Sequence, residues 1–368
     1  MNEKPRIMMV SSEANPWAKS GGLADVVAAL PVALAQLGHP VSVVIPRYMN
    51  APSAPAPRIA ERIPIALGST IYDVDVWAME SSGVTHFFVD NPGLYQRDGL
   101  YGDQYGDYGD NHVRFAVLAK AALEIARRFF PTDIFHCHDW QAGLLPVYLK
   151  ESPVVDPAFL GARTLLTIHN LGYQGIFEPE VMPQVSLPTR LYHPDGIEFW
   201  GKISFLKAGL VYADELNTVS RKYAEEIQTP EYGFGLDGLL RDRRDSLVGI
   251  LNGVDYTRWN PATDKDIPGP YSAEDLTGKR NCKRELLREM GLPDAAMDRP
   301  LLGIVSRFAS QKGFDLLAET AWGIFREDVY LVALGNGEPV YEDIFRRLQS
   351  DFPDKVALRI GYDDPLAH

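Results

Sequence analysis

The sequence predicts an α/β protein built from two Rossmann-like, doubly wound units that face a cleft. Short β-branched runs alternate with segments of helical periodicity, and a glycine-containing loop joins the first such run to the first helix. The same alternation starts again after residue 297. The chain has 368 residues, 46% of them apolar and 23% charged, which is typical of a folded protein with a core. Ligands of such folds bind at the carboxyl ends of the strands.

The first predicted unit covers residues 1–255 and opens with a strand, a helix and a second strand. Apolar residues from Leu23 to Leu37 follow helical spacing, and Gly38 is placed to end that helix. A helix between two strands implies a parallel sheet. Residues 63–89 contain three strand-like runs that predict a local antiparallel addition. The remaining elements predicted for this unit are strands at Arg6–Ser12, Val41–Ile45, Asp133–Cys137, Thr164–Ile168, Glu215–Val219 and Leu247–Leu251, and a helix at Asn111–Phe130 capped by Asp110.

Residues 256–296 predict a linker with a peripheral helix, because hydrophobic periodicity lapses in a polar, proline-bearing stretch. Residues 297–368 then predict a partial second unit of three strands and two helices. Because a doubly wound sheet needs more strands, we expect this unit to be incomplete, with an exposed strand edge and uncovered apolar surface. The elements predicted are Leu301–Val305, Phe314–Phe325, Tyr330–Leu334, Tyr341–Phe352 and Val356–Ile360.

Charge and cysteine content exclude several classes of function. The net charge of −13 argues against nucleic acid or an anionic membrane surface as a partner. Cys137 and Cys282 are the two cysteines, too few for a disulfide framework or a cysteine zinc cluster, and they favour a reducing cytoplasm. No 18 consecutive residues are apolar, so neither secretion nor a membrane span is predicted.

Lys19, Gly21 and Gly22 lie where the first predicted strand passes into the first helix. Two glycines allow an anion to approach the backbone, the helix start presents free N–H groups, and Lys19 adds a positive charge. These features favour a phosphate or pyrophosphate cradle, although a glycine turn that only allows close packing remains open. The spacing fits neither a P-loop nor a G-x-G-x-x-G fingerprint, which disfavours an ATPase and a dehydrogenase.

Arg307 and Lys312 lie at the corresponding strand-to-helix turn of the second unit. A guanidinium and an ammonium group there can hold the two phosphates of a leaving nucleotide, and solvated surface cations are the plain alternative. With Lys19 they would neutralise a pyrophosphate without a metal ion. The interpretation therefore requires neither a metal nor another cofactor.

Polar side chains end two further strands of the first unit. His136, His138 and Asp139 end one, and His169 ends the next. Alternation places His136 and His138 on one side of their strand, but further metal ligands at suitable spacing are lacking. We therefore interpret these residues as polar groups lining the cleft. His169 is either a core residue or a donor to a substrate hydroxyl.

Two other features leave alternatives open. Asp73 and Asp75 form an Asp-x-Asp pair that could bind a divalent metal ion, but both alternate with buried-type valines and are expected to face solvent. The Leu94–Asn111 loop is rich in Tyr, Gly and Asp, and because tyrosines can stack on sugar rings it suits either a carbohydrate path or a flexible polar loop.

Six segments together resemble the bacterial glycogen synthase and plant starch synthase family. They occur in the family's order over nearly the whole chain, and they read KSGGLADVV, HCHDWQAGLLP, TIHNLGYQGIF, KISFLKAGLVYAD, ILNGVD and SRFASQKGFDLL. The resemblance implies a GT-B glycosyltransferase that moves glucose from ADP-glucose to the non-reducing end of an α-1,4-glucan such as glycogen, with retention of configuration. UDP-glucose as the donor, and a truncated chain that binds donor or glucan without turnover, remain alternatives.

The same resemblance implies a role for each matching residue. Lys19, Gly21 and Gly22 would contact donor and glucan-site groups, and Asp139 and His169 would lie near the glucosyl moiety. Asn252 would line the hinge side. Arg307 and Lys312 would bind the donor diphosphate, and with His169 they form the predicted catalytic group.

Overall fold

The computed structural model describes residues 4–49, 56–151 and 156–368. The chain divides into two compact units, residues 1–253 and 254–368. Within the described residues, no helix combines the length and apolar character needed to span a bilayer.

The first unit is an α/β fold whose strands and helices alternate along most of its length. In chain order its elements are β1 (Ile7–Val10), α1 (Gly22–Gln36), β2 (Val41–Pro46), β3 (Arg58–Leu67), β4 (Thr70–Ser81), β5 (Val84–Asp90), α2 (Pro92–Tyr95), β6 (Gly102–Asp103), β7 (Gly106–Asp107), α3 (Asn111–Arg128), β8 (Ile134–His138), α4 (Leu144–Lys150), β9 (Arg163–Ile168), β10 (Ile176–Phe177), β11 (Glu198–Phe199), β12 (Lys202–Ser204), α5 (Phe205–Tyr212), β13 (Glu215–Thr218), α6 (Arg221–Glu226), α7 (Asp237–Asp242) and β14 (Leu247–Gly249).

The main sheet has nine strands in the order β14-β13-β9-β8-β1-β2-β5-β4-β3. The first seven of these run parallel, whereas β4 and β3 are added antiparallel. The local antiparallel addition predicted for residues 63–89 is therefore confirmed, because β3 pairs antiparallel with β4 and β4 pairs antiparallel with β5. Two successive hairpin turns reverse the chain twice, so β5 returns to the direction of β3 and pairs parallel with β2.

Apolar side chains pack on both faces of this sheet. One cluster joins the sheet to α3, α4 and α5, and the other joins it to α1. Coverage of both faces explains why β1 and β2 are buried at every position instead of alternating. The packing fixes the ends of the central strands, from which the polar loops of the candidate site emerge.

Helix α3 begins at the predicted residue, and Asp110 occupies the predicted N-cap position, but its side chain does not cap the helix. The Asp110 side chain accepts no hydrogen bond from the helix start. Its carboxylate instead accepts two bonds from the guanidinium of Arg97, at 2.7 and 2.6 Å. This charged pair ties the loop before α3 to the chain around α2, so the carboxylate is unavailable to the helix amides.

The second unit contains a three-stranded parallel sheet in the order β15-β16-β17. Its elements are α8 (Thr277–Met290), β15 (Leu301–Val305), α9 (Phe314–Ile324), β16 (Tyr330–Gly335), α10 (Pro339–Asp351), β17 (Val356–Ile360) and α11 (Asp364–Ala367). Every residue of β16 is buried, with an apolar cluster on each face of the sheet. On the edge strand β15, Leu302 and Val305 are exposed.

Candidate functional site

Three loops at one edge of the nine-stranded sheet carry most of the predicted site residues of the first unit. They follow β1, β8 and β9, where β8 lies between the other two strands. Because these strands are parallel, their carboxyl ends meet at the same edge. The loops therefore bring residues 11–22, 139–143 and 169–175 into one neighbourhood.

The loop after β1 contains a buried carboxylate that the sequence interpretation missed. Glu13 is 3% exposed, and its carboxylate accepts hydrogen bonds from the N–H of Ser20 at 2.6 Å and of Gly21 at 3.3 Å. It also accepts bonds from the hydroxyls of Ser20 at 2.6 Å and Tyr101 at 2.5 Å. Glu13 thus occupies part of the amide cradle that the glycine loop was predicted to offer an anion.

Gly21 and Gly22 nevertheless border open space. Helix α1 begins at Gly22, and a Cβ added at either glycine would meet no atom within 4 Å. The glycines are thus not required by close packing, which removes the plain alternative considered for them. The neighbouring Lys19 ammonium forms a 2.9 Å ion pair with Asp25, so its charge is partly neutralised.

Asp139 joins the loops after β8 and β9. Its carboxylate accepts hydrogen bonds from the N–H of His169 at 2.7 Å and of Asn170 at 3.4 Å. Burial raises the pKa of Asp139 to about 7, although these two hydrogen bonds oppose the shift. Asp139 also has a backbone φ of +53°, a conformation that costs energy in a non-glycine residue and is common at functional sites.

Three histidines lie together beneath these loops. The rings of His136 and His138 are 4.2 Å apart, and His138 Nδ1 lies 2.9 Å from His169 Nε2. Desolvation lowers the pKa of His136 to about 3 and that of His169 to about 4, and holds the pKa of His138 well below its usual range. All three are therefore neutral imidazoles at physiological pH.

Their burial corrects the prediction that all of these side chains line an open cleft. His136 is 5% exposed and His138 is fully buried, whereas His169 is partly exposed. Alternation does place His136 and His138 on the same side of β8, but that side is covered by neighbouring structure. Of the three, His169 alone combines a site position with solvent access.

Asn252 is not close to the loop that carries Lys19. It is exposed and follows β14, the outermost strand of the sheet. Four strand spacings separate β14 from β1, which corresponds to roughly 19 Å. Within the first unit, the structure therefore brings together five of the predicted residues at the carboxyl ends of the strands: Lys19, Gly21, Gly22, Asp139 and His169. Asn252 lies apart from them, beside the outermost strand β14.

Asp73 and Asp75, the alternative candidates for a metal site, form ion pairs with arginines. Arg62 pairs with Asp73 at 2.9 Å, and Arg58 pairs with Asp75 at 2.9 Å. Asp73 is exposed as expected, whereas Asp75 is half-buried. Two guanidinium partners at hydrogen-bond distance disfavour a divalent cation at this pair.

A different set of metal-type ligands meets in the second unit. Within the described residues, ligand atoms of Asp264, Asp266 and His368 lie within 4.8 Å of one another. His368 Nδ1 already contacts the Asp264 carboxylate at 2.6 Å, and its ring stacks on Trp259 at 4.0 Å. We assign this group to packing of the second unit.

The Leu94–Asn111 loop is anchored by a fully buried guanidinium. Arg114 donates to the carbonyls of Leu94 at 2.7 Å and Leu100 at 3.0 Å, and to the side-chain oxygen of Asn111 at 2.7 Å. Desolvation lowers the pKa of Arg114. The loop is thus fixed at several points, contrary to a freely flexible segment.

In the second unit, Arg307 and Lys312 both follow β15 and are exposed. Neither side chain forms an ion pair or hydrogen bond with the described residues. The loop itself is held in place, because Phe308 N–H donates to the Asn336 carbonyl at 2.9 Å and Glu338 N–H donates to the Phe308 carbonyl at 2.8 Å. Two unneutralised cations on a fixed loop can bind a diphosphate.

Sequence interpretation missed Glu13, Tyr101 and Arg114. Each of them contributes to the site through hydrogen bonds to residues distant in sequence or in another loop. Glu13 and Arg114 are of residue types that are most often exposed, and spacing alone did not indicate their burial or the contact of Tyr101 with Glu13. Glu13 offers one weak signal, a carboxylate between the first strand and the glycine loop. Tyr101 and Arg114 offer none.

Comparisons with known proteins identify the family. The family model described as the starch synthase catalytic domain matches residues 6–242. Glycogen synthase of Koribacter versatilis is 48% identical, with 98% of this chain aligned to 75% of that protein. Glycogen synthase of Anaeromyxobacter sp. (strain Fw109-5) is 46% identical, with 98% of this chain aligned to 76% of it.

Solved structures also match this chain. The catalytic domain of starch synthase IV from Arabidopsis thaliana, bound to ADP and acarbose, is 30% identical with a TM-score of 0.90. That match covers 100% of this chain and 76% of the other. Sucrose-phosphate synthase from Thermosynechococcus elongatus, at 16% identity and TM-score 0.55 over 98% of this chain and 72% of the other, shares the fold. The chain therefore belongs to the glycogen and starch synthase family of GT-B glucosyltransferases.

Proposed function

We propose that the chain transfers glucose from ADP-glucose to the non-reducing end of an α-1,4-glucan, with retention of configuration. Family membership supports glucosyl transfer in glycogen or starch synthesis. The starch synthase IV structure, which holds ADP and acarbose, supports a donor with an ADP group and a glucan-like acceptor for this chain as well.

One observation carries the assignment of the site. Asp139 holds the amides of His169 and Asn170, and the glycine loop with open space beside it leaves the neighbouring strand β1. A carboxylate, a neutral imidazole and accessible backbone at one sheet edge provide hydrogen-bond acceptors and donors for sugar hydroxyls. Because the glucosyl group is neutral, these hydrogen-bonding groups can bind it without a further charged residue.

We assign each predicted residue a role within this reaction. Lys19, Gly21 and Gly22 contact donor and glucan-site groups. To make this contact, the Lys19 ammonium exchanges its ion pair with Asp25 for one with the ligand. Asp139 and His169 bind the glucosyl moiety, and Asn252 lines the hinge side. The first unit then serves the acceptor, and residues 297–368 serve the nucleotide sugar.

Arg307 and Lys312 bind the diphosphate of the donor. In a front-face substitution, the bond between the glucosyl C1 and the diphosphate oxygen breaks, and the acceptor 4-oxygen bonds to C1 on the same face. The departing diphosphate takes the proton of the 4-hydroxyl. Two cations stabilise the charge that develops on the leaving group, a role for which neither a metal nor another cofactor is needed.

We also propose the cytoplasm as the site of this reaction. Both cysteines are free thiols, and Cys137 is buried in the core, where burial raises the thiol pKa and keeps it protonated. These features suit a reducing compartment.

The test is incorporation of labelled glucose into glycogen from ADP-glucose and, in parallel, from UDP-glucose, with and without EDTA. Calorimetry measures donor binding in the same preparations. We expect turnover that favours ADP-glucose and is insensitive to the chelator. Turnover that requires a divalent cation would contradict the role of the two cations, and a lack of response to either donor would overturn the assignment.

A further inference from the structure

His138 is a buried titratable residue to which the proposed reaction gives no role. It is fully buried at the end of β8, directly before Asp139. Its Nδ1 lies 2.9 Å from His169 Nε2, and its Nε2 is buried without a hydrogen-bond partner among the described residues. Among the described residues, the contact with His169 is therefore the side-chain hydrogen bond that His138 makes.

The contact between the two imidazoles requires one proton between two nitrogens. Both rings are neutral, since burial lowers the pKa of each well below neutral pH. Either His138 Nδ1–H donates to His169 Nε2, or the proton lies on His169 and the direction is reversed. The two arrangements leave different groups unpaired.

Burial of His138 Nε2 decides between these arrangements. If His138 accepted at Nδ1, its own proton would lie on Nε2, where an N–H would be buried without an acceptor. Among buried backbone groups an unpaired N–H donor is rarer than an under-satisfied acceptor, and we apply the same order to the imidazole nitrogens. His138 therefore carries its proton on Nδ1 and donates to His169, which then carries its own proton on Nδ1.

The His138 ring also packs against the ring of His136, at a centroid distance of 4.2 Å. His136 Nε2 contacts the Thr167 hydroxyl at 2.6 Å, and that hydroxyl donates to the Asn217 side-chain oxygen at 2.5 Å. Thr167 thus accepts from His136, so a chain of contacts from β13 through β9 and β8 orients the donor.

We propose that His138 is a positioning residue that fixes His169 in the Nδ1–H tautomer, so that His169 presents a neutral hydrogen-bond donor to a hydroxyl of the glucosyl group. The role at the glucosyl group rests on the proposed function, whereas the tautomer does not. His169 Nδ1 has no hydrogen-bond partner among the described residues, and the residue is partly exposed. A neutral donor at this position adds no charge to the edge of the sheet.

Nitrogen-15 NMR of the whole chain, with labelled histidine, tests the tautomer without any assay of activity. In the unsubstituted protein we expect a protonated Nδ1 and an unprotonated Nε2 at His169. His138→Phe keeps an aromatic ring but removes the donor, so the Nε2–H form of His169 should become populated. His138→Asn places an amide N–H near the position of Nδ1 and should restore the original tautomer. A protonated Nε2 at His169 in the unsubstituted protein would overturn the proposal, as would an unchanged spectrum in His138→Phe.

Kinetics then test the consequence. We expect His138→Phe to lower kcat about tenfold with KM for the donor within about twofold, and His138→Asn to recover most of that loss. His86→Phe is the matched control, since His86 is also buried with a pKa lowered by desolvation but lies on β5. Equal losses in the Phe and Asn variants would reduce His138 to a packing residue and contradict the proposal.

The NMR and kinetic experiments together distinguish a failure of the tautomer proposal from a failure of the proposed function. If His169→Ala left turnover unchanged, the role of His169 in glucosyl transfer would fail, while the NMR result would still decide the tautomer. If His138→Phe did not fold, the spectra of the unsubstituted protein and of His138→Asn would decide it.

Discussion

The carboxylate of Asp139 accepts a hydrogen bond from the backbone N–H of His169 at 2.7 Å. The two residues are thirty positions apart and follow neighbouring parallel strands, so their contact depends on the register of β8 and β9. It holds a buried carboxylate and a neutral imidazole beside each other at the site edge.

Asp139 should make stability fall as pH rises. Its pKa in the folded protein, about 7, lies above the usual value of 3.8, so the folded state binds more protons than the unfolded state between these values. The free energy of unfolding should therefore decrease across that window, by on the order of 3 kcal/mol for this group. Asp139→Asn should remove this component of the slope in urea unfolding measured from pH 4 to 8. An unchanged slope would contradict the shifted pKa.

His136 should contribute the opposite dependence. Its pKa is lowered to about 3 from 6.5, so below pH 6.5 the unfolded state gains a proton that the folded state does not accept. His136→Gln, whose amide N–H can still reach Thr167, should gain about 2 kcal/mol relative to the unsubstituted protein at pH 5 and little at pH 8. Urea unfolding at both pH values checks this. A gain that is equal at both would point to packing instead of titration.

Tyr101→Phe should destabilise the first unit by about 1–2 kcal/mol, because it removes a hydrogen bond to a buried carboxylate. The hydroxyl of Tyr101 contacts Glu13 at 2.5 Å and Ser12 at 2.7 Å. Tyr105→Phe in the same loop is the control, since Tyr105 is 88% exposed. Thermal unfolding of both variants measures the difference, and equal effects would show that the Tyr101 bond contributes little.

Arg114→Met should cost about 3 kcal/mol of stability, since it leaves three hydrogen-bond acceptors without their donor. The Leu94–Asn111 loop should then become more sensitive to limited proteolysis. Arg128→Met, on the same helix but exposed, should have little effect on either measurement. Unchanged proteolysis in Arg114→Met would show that other contacts hold the loop.

Arg307→Ala and Lys312→Ala should lower kcat by about 100-fold while the donor dissociation constant changes far less, because the charge on the diphosphate is greatest in the transition state. Both residues are exposed without partners among the described residues, so thermal stability should not change. Arg347→Ala, an exposed arginine on α10, is the matched control. If calorimetry instead showed that donor affinity alone falls, the transition-state role would be wrong.

Much of the fold could be read from local patterns. The bounds of β15 and β17 agree with the prediction, and α3 begins at the predicted Asn111. Hydrophobic periodicity is a local property, so it does not require knowledge of distant contacts. The side-chain capping role of Asp110 was wrong, because its carboxylate pairs with Arg97 and that contact depends on which segments meet in space.

The sequence by itself determined the α/β class, the family and the positions of the glycine loop, Asp139, His169, Arg307 and Lys312 at strand ends. Tertiary structure alone decided that Glu13 fills part of the glycine-loop cradle, that Asp139 bonds His169, and that His138 is buried against it. The physical reason is that pKa, tautomer and hydrogen-bond partner depend on burial and on residues distant in sequence. Residue type and spacing specify which groups reach the sheet edge, and only packing specifies their state there.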